Sequence, residues 1–287
     1  MLPTSTANGL SPEVHGHRGC RGLLPENTLP AFLHALALGV DVLELDVVIS
    51  HDQQVVVSHE PWLSARLGRG PQGKLLHSTE ERAYNLYHLP YPLIQGCTVG
   101  EWHHPDFPEQ QLVLSYRPLL REVLQQVAVA CQQLGRPPVG FSVEIKSSPA
   151  GDGIFHPIPA AFLDLVVAEL QAADVLSRTT LLSFDSRILQ AAHRAYPSLS
   201  LCLLIEDKLP AIANLFAELG FESETLGPDF QLLSAELVDE LRTTYPALRL
   251  VPWTVNSLSD LRLVRSWNVD GITTDYPNRL LQLLDRM

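Results

Sequence analysis

The chemistry available to this chain is concentrated in a few short runs. Glu44 and Asp46 stand two residues apart in DVLELDVVI (41–49), and Glu144 and Lys146 stand two apart in VGFSVEIK (139–146). Side chains at i and i+2 of an extended strand share a face. The partners on the opposite faces, Leu43, Leu45, Val47 and Ile49 in one run and Val139, Phe141, Val143 and Ile145 in the other, are all apolar. Each run therefore reads as a strand with an aliphatic side for helices and a polar side carrying carboxylates. Three carboxylates gathered in one interior repel one another and lose hydration, so a cation or protons must compensate. Oxygen ligands alone suit a hard ion, Mg²⁺ or Ca²⁺, better than zinc, which prefers His and Cys. The competing arrangement is a buried ion-pair cluster in which Lys146 and Arg18 do the neutralising.

Two histidines end strand-like runs: His17, in His17-Arg18-Gly19, and His59, which closes QVVVSH (54–59). Histidine is the natural proton donor and acceptor near neutral pH, and the planar guanidinium of Arg18 suits phosphate oxygens. His15, two residues before His17, falls on the same strand face but deeper. His51, His77, His103, His104 and His156 fall in loops, where solvation is the expected state.

The elements that must position these residues alternate. Strands are expected at 13–17, 41–49, 139–146, 179–184, 199–205, 224–227, 248–255 and 269–274. Helices are expected at 28–38, 118–134, 158–173, 186–195, 208–219, 234–244, 257–267 and from 277. Strict alternation of this kind means a parallel sheet with helices outside, and about eight units close a (β/α)8 TIM barrel whose site lies at the C-terminal strand ends. An open doubly wound sheet is the alternative, but GxGxxG is absent after the first strand. The alternation lapses between 60 and 117, a stretch rich in Gly, Pro, His and aromatics that reads as a small insertion after the second strand region. Its Trp62, Trp102 and Tyr116 are expected to form a small core of their own.

Composition narrows the rest. With 287 residues, 46% of them hydrophobic, the chain can bury a full core as a single domain. A net charge of −12 argues against nucleic acid, and an anionic ligand would need local cations. Cys20, Cys97, Cys131 and Cys202 are dispersed, as reduced thiols in a cytoplasmic protein would be. The first residues show no leader pattern, and no run of apolar residues is long enough to span a bilayer. Nothing in the sequence speaks to oligomeric state.

The runs HRGCRGLLPENTLPAF, LELDV, VSHEP, VEIK, PWTVN and DGITTDYP follow one another in this order from about Val14 to Pro277. Together they resemble the glycerophosphodiester phosphodiesterase family. The resemblance implies that His17 and His59 are catalytic and that Glu44, Asp46 and Glu144 hold one divalent cation. It also implies that Arg18 and Lys146 contact phosphate and that Trp253 walls the glycerol pocket. Many relatives carry Asp where this chain has Glu60, and the stretch 60–117 resembles the small domain some members carry over the barrel mouth. The implied reaction is hydrolysis of a small-molecule phosphodiester to glycerol 3-phosphate and an alcohol. His17 would be the base and His59 the acid, with water or the glycerol 2-hydroxyl as nucleophile. A lysophospholipase D-like activity and a barrel that binds a phosphate compound without cleaving it are the alternative readings.

Overall fold

The computed structural model describes residues 11–287, so most of the N-terminal stretch read for a leader lies outside the described residues. Eight parallel strands form the barrel: β1 (Glu13–Gly16), β2 (Val42–Ile49), β4 (Gly140–Ile145), β5 (Thr179–Ser183), β6 (Ser200–Ile205), β7 (Thr225–Pro228), β8 (Arg249–Leu250) and β9 (Gly271–Thr274). Their hydrogen-bonded order runs β8-β7-β6-β5-β4-β2-β1-β9. The circle is completed between the ends of that row, where Asp270 N donates to Leu250 O at 2.9 Å and Thr273 N to Pro252 O at 3.0 Å. The expected (β/α)8 barrel is the fold.

Helices α1 (Leu29–Leu38), α3 (Leu120–Gln133), α4 (Pro159–Ala172), α5 (Ser186–Ala195), α6 (Ile212–Leu219), α7 (Ala235–Thr244), α8 (Leu258–Ser266) and α9 (Pro277–Leu283) follow the strands; α2 (Tyr91–Gln95) lies in the divergent stretch. Their starts are locally encoded. The side chains of Thr28, Asp185, Ser234 and Ser257 each accept from a backbone N–H in the first turn of α1, α5, α7 and α8, which satisfies donors the helix leaves free. The main core lies between strands and helices, with Leu43, Leu45, Phe141, Val143 and Phe162 fully or almost fully buried in it. None of the described helices is long and apolar enough to cross a membrane.

Two segments depart from a regular β/α unit. The strand-like run 54–59 does form a strand, but off the barrel circuit. Its residues β3 (Val55–Val57) pair antiparallel with β2, Val47 opposite Val57, and stand off the circuit. A short polar turn, His51–Asp52–Gln53 with Gln53 in the left-handed region (φ 59°), reverses the chain there. The second segment is 248–255, where only Arg249–Leu250 ladder as a strand. Pro252 supplies no donor, and beyond it the chain pairs only at isolated points: Trp253 bridges Asp229, and Val255 N donates to Thr273 O at 3.0 Å.

Between β3 and α3 the chain forms short 3-10 turns and α2. A second hydrophobic cluster gathers Leu63, Leu86, Tyr91, Ile94 and Cys97 with Val48 and Val56 of the β2–β3 hairpin. The aromatics expected to make that core do not enter it. Trp62, Trp102 and Tyr116 are all half-buried. Each has a polar tip or face in use: the Trp102 indole N–H donates to Arg66 O at 3.1 Å, the Tyr116 hydroxyl bonds Glu122, and Arg82 lies over Trp62. The interior is filled mainly by aliphatic side chains, which carry no polar atom that needs a partner, and by Tyr91, whose hydroxyl donates to Arg117 O at 3.2 Å.

Candidate active site

Parallel register places the carboxylates. Asp46 lies directly opposite Glu144 across β2 and β4, and Glu44 opposite Ser142. Oxygens of Glu44, Asp46 and Glu144 approach within 4.8 Å of one another, and all three residues are buried. Arg18 follows β1 in the left-handed region (φ 50°), which turns its backbone N–H onto Glu44 Oε2 at 2.7 Å. Asn27, also left-handed (φ 55°), donates its amide to Asp46 Oδ2 at 2.8 Å. Gly19 (φ 87°) makes this crossing possible: a Cβ there would lie 2.7 Å from the backbone of Ala31 in α1.

Cations and acids interlock at this point. Lys146 Nζ lies 2.7 Å from Glu144 Oε1 and 3.1 Å from Asp46 Oδ1. Arg18 donates to Glu26 at 2.7 Å, and its Nε lies 3.2 Å from Asp46 Oδ2. The ion-pair cluster considered from sequence is therefore present, but it does not neutralise the trio. Burial and the neighbouring Asp46 hold the Glu44 carboxyl well above its ordinary range. Burial likewise raises Glu144, against the pull of Lys146. Asp46 is held low despite burial because Lys146 and Arg18 flank it. Asp46 Oδ1, fully enclosed, accepts no hydrogen bond of proper geometry. An acceptor of that kind is costly unless something else binds it. Glu44, Asp46 and Glu144 thus fit a metal ion, and their all-oxygen set suits a hard divalent one.

The histidines are oriented by carboxylates. His17 Nδ1 meets Asp275 Oδ1 at 2.6 Å, and Asp275 is itself clamped by Arg21 Nε at 3.0 Å and by the Asn256 amide at 2.7 Å. Burial would raise the Asp275 carboxyl, but His17 and Arg21 hold it well below its usual range. It is ionised at neutral pH, so Nδ1 carries the proton and His17 Nε2, 3.9 Å from Glu44 Oε2, carries the lone pair. Burial, seconded by Arg21 and Arg18 and opposed by Asp275, pushes the His17 imidazole down to about 4. His59 Nδ1 meets Glu60 Oε1 at 2.9 Å. Burial works against the Glu60 carboxylate, yet the bond and charge of His59 bring it down to about 2.

A cavity of about 820 Å³ opens above these groups, lined by His17, Arg18, Glu44, His59, Glu144, Lys146 and Trp253 among others. Asp46 contributes from behind the lining. Trp253 is fixed by its indole N–H on Gly227 O at 2.7 Å and by an edge-to-face contact with Phe184, centroids 5.6 Å apart. Trp62 also lines the cavity, 5.7 Å from Phe155. His15 lies deeper in the barrel, as expected, 3.2 Å from Glu13. Two loop histidines are not solvated. His156 is buried and accepts from Ser148 N at 3.1 Å, bracing the loop after β4, and His104 packs 4.8 Å from Phe107. Local polarity hides such burial, since loop composition does not show which ring a turn will enclose.

Asp275, Asn256, Arg21, Glu26 and Asn27 had no role in the site from sequence reasoning. Their signal was present, because each falls inside one of the ordered runs: Asp275 in DGITTDYP, Asn256 in PWTVN, and the other three in HRGCRGLLPENT.

Fold and site together describe a (β/α)8 barrel whose cavity gathers His17 and His59 above a carboxylate trio. The sequence profile of the glycerophosphoryl diester phosphodiesterase family matches residues 17–279. The chain is 26% identical to a glycerophosphodiester phosphodiesterase of Bacillus subtilis (strain 168), over 97% of this chain and 90% of that protein. A solved structure from Silicibacter pomeroyi DSS-3, assigned as a candidate glycerophosphoryl diester phosphodiesterase, superposes with a TM-score of 0.83 at 31% identity, covering 96% and 93% of the two chains. An Oleispira antarctica phosphodiesterase, solved with the product sn-glycerol-3-phosphate, shares the fold with a TM-score of 0.74 at 19% identity, covering 96% of this chain and 97% of that one. The chain belongs to the glycerophosphoryl diester phosphodiesterase family and is an enzyme of that class.

Proposed function

We propose that the protein hydrolyses glycerophosphodiesters to glycerol 3-phosphate and an alcohol, with one Mg²⁺ or Ca²⁺ held by Glu44, Asp46 and Glu144. The observation that carries this reading is the convergence on one cavity of the trio, whose Asp46 Oδ1 meets the Lys146 ammonium at 3.1 Å but accepts no hydrogen bond, and of the two carboxylate-oriented histidines. It agrees with the product held by the Oleispira relative. The bound cation would offset charge on the phosphate oxygens. Arg18 and Lys146 line the same cavity and add local positive charge within a chain of net charge −12.

His17 acts as base. Its imidazole, pushed down to about 4, is neutral at pH 7, with Nδ1–H on Asp275 and Nε2 free to take a proton from water or from the glycerol 2-hydroxyl. His59, anchored through Nδ1 on Glu60, presents its other nitrogen and protonates the leaving oxygen. Attack by the 2-hydroxyl would expel the alcohol and leave a cyclic phosphate, which water would then open to glycerol 3-phosphate. Trp253 walls the glycerol side. We read the chain as one barrel domain, with 60–117 inserted and shaping the opposite wall.

The test is release of glycerol 3-phosphate from glycerophosphocholine and glycerophosphoethanolamine, with EDTA and with Mg²⁺ or Ca²⁺ restored. Chelation should abolish release and one ion should restore it. Absence of release with every headgroup and both ions would overturn the reading.

A lysophospholipase D-like activity is the second reading. Below the mouth the cavity is lined by Leu182, Leu204 and Val251, apolar surface that an acyl chain on the glycerol could occupy. Comparing acylated and unacylated diesters as substrates separates the two.

A further inference from the structure

Arg82 holds an unusual position for a cation in an acidic chain. Its guanidinium carbon lies 5.0 Å over the Trp62 ring, and both side chains line the cavity. Among the described residues Arg82 makes no hydrogen bond and no ion pair. The neighbouring acids are committed elsewhere: Glu80 to Lys74 at 3.2 Å, Glu81 to the Ala65 N–H at 2.6 Å, and Glu60 to His59. Trp62 is held edge-to-face by Phe155, centroids 5.7 Å and planes 63° apart. The result is a cation kept at the mouth by an aromatic face rather than by a carboxylate.

The place of this stack matters more than its existence. Trp62 follows His59 by three residues, on the segment leaving β3. The other aromatic pair, Phe184 with Trp253, follows β5 and β8, and Glu206 follows β6. In the sheet, β4 and β5 lie between β6 and β2, on which β3 is paired. The Arg82 wall therefore flanks His59, and the wall carrying Glu206 lies across the cavity. On the reading above, which this inference rests on and deepens, His59 protonates the leaving oxygen, so the departing alcohol lies against Arg82, Trp62 and Phe155.

We propose that this wall is the subsite for the leaving alcohol and that it selects alcohols bearing negative charge. An aromatic cage for a trimethylammonium group needs a free ring face. Here the Trp62 face already carries a guanidinium, which repels ammonium headgroups. The same guanidinium has its hydrogen-bond donors free for a carboxylate or phosphate. Arg82 is exposed at the mouth, so water and salt screen it and the selection is modest, about fivefold per unit charge.

Three diesters of nearly equal size test this: glycerol 3-phosphate joined to glycolate, to ethylene glycol and to ethanolamine, prepared as non-hydrolysable phosphonates. Calorimetry on the metal-loaded wild type should rank them anionic, neutral, cationic in falling affinity. About 0.5 M salt should flatten the order, because the Debye length then falls well below 10 Å. Arg82→Gln should flatten it at low salt, and Arg82→Glu should invert it. An order that ignores salt, or one that Arg82→Glu leaves unchanged, overturns the proposal. Preference of the wild type for the ammonium compound does so as well. Whether the corresponding phosphates are cleaved bears on the phosphodiesterase reading alone, so the two ideas fail separately.

Discussion

His17 is held from one side by Asp275 and faces Glu44 on the other. On the proposed mechanism, His17→Ala and His59→Ala should each lower turnover by at least about 10²-fold, the usual contribution of a positioned proton donor or acceptor; wild-type-like rates in either variant would remove that residue from the chemistry. His17 also affects stability. Its folded pKa, about 4, lies below the 6.5 of the free side chain, so between those values the unfolded chain binds the extra proton. The neutral imidazole's contribution is therefore complete above pH 6.5 and is lost as pH falls toward 4. Replacing His17 with Gln should shrink the difference in unfolding free energy between pH 7 and pH 5 by about 1–2 kcal/mol, read from urea titrations of metal-free protein. At this scale the sequence was most legible where alternation was strict. Glu44 and Asp46, two apart on a strand with aliphatic partners, could only share the interior. Asp275 was invisible as a partner of His17 because 258 positions separate them, and only barrel closure brings β9 beside β1.

The elements explain how closely the first turn is drawn against α1. Gly19 is left-handed and in contact with the α1 backbone, whereas Gly39, also left-handed (φ 107°), caps the same helix with nothing within 4 Å of an added Cβ. Gly39→Ala should cost about 1 kcal/mol, the backbone penalty alone. Gly19→Ala should cost at least about 3 kcal/mol, since it must also displace α1, and it should weaken metal binding through Arg18 and Asn27. Chemical denaturation and metal titration of the two variants make the comparison; equal costs would show that the close approach is not limiting. Helix positions were readable because caps and periodicity are local. The strand character of QVVVSH was legible but its direction was not, because the run looks the same whether it joins a parallel barrel or folds back antiparallel on β2.

Across the whole molecule two separate apolar clusters divide the work, the large one around the barrel and the small one under 60–117, joined through Val48 and Val56 of the hairpin. Deleting a fully buried side chain from the small cluster, Leu86→Ala, should cost about 2–5 kcal/mol locally and open that segment without opening the barrel. Hydrogen exchange should then show protection lost across 60–117 and retained in α4 and α5; loss in both would mean a single cooperative unit. The division bears on how such an enzyme could diversify. The trio and His17 are carried by the barrel, whereas His59, Trp62 and Arg82 all travel on the excursion that begins at β3. On the proposed mechanism, one half of the reaction centre is built into the scaffold and the other half arrives as a cassette. Exchanging the cassette between relatives would change which alcohol departs while leaving the ion-binding half in place, so new substrate ranges can be reached by recombination at two nearby joints.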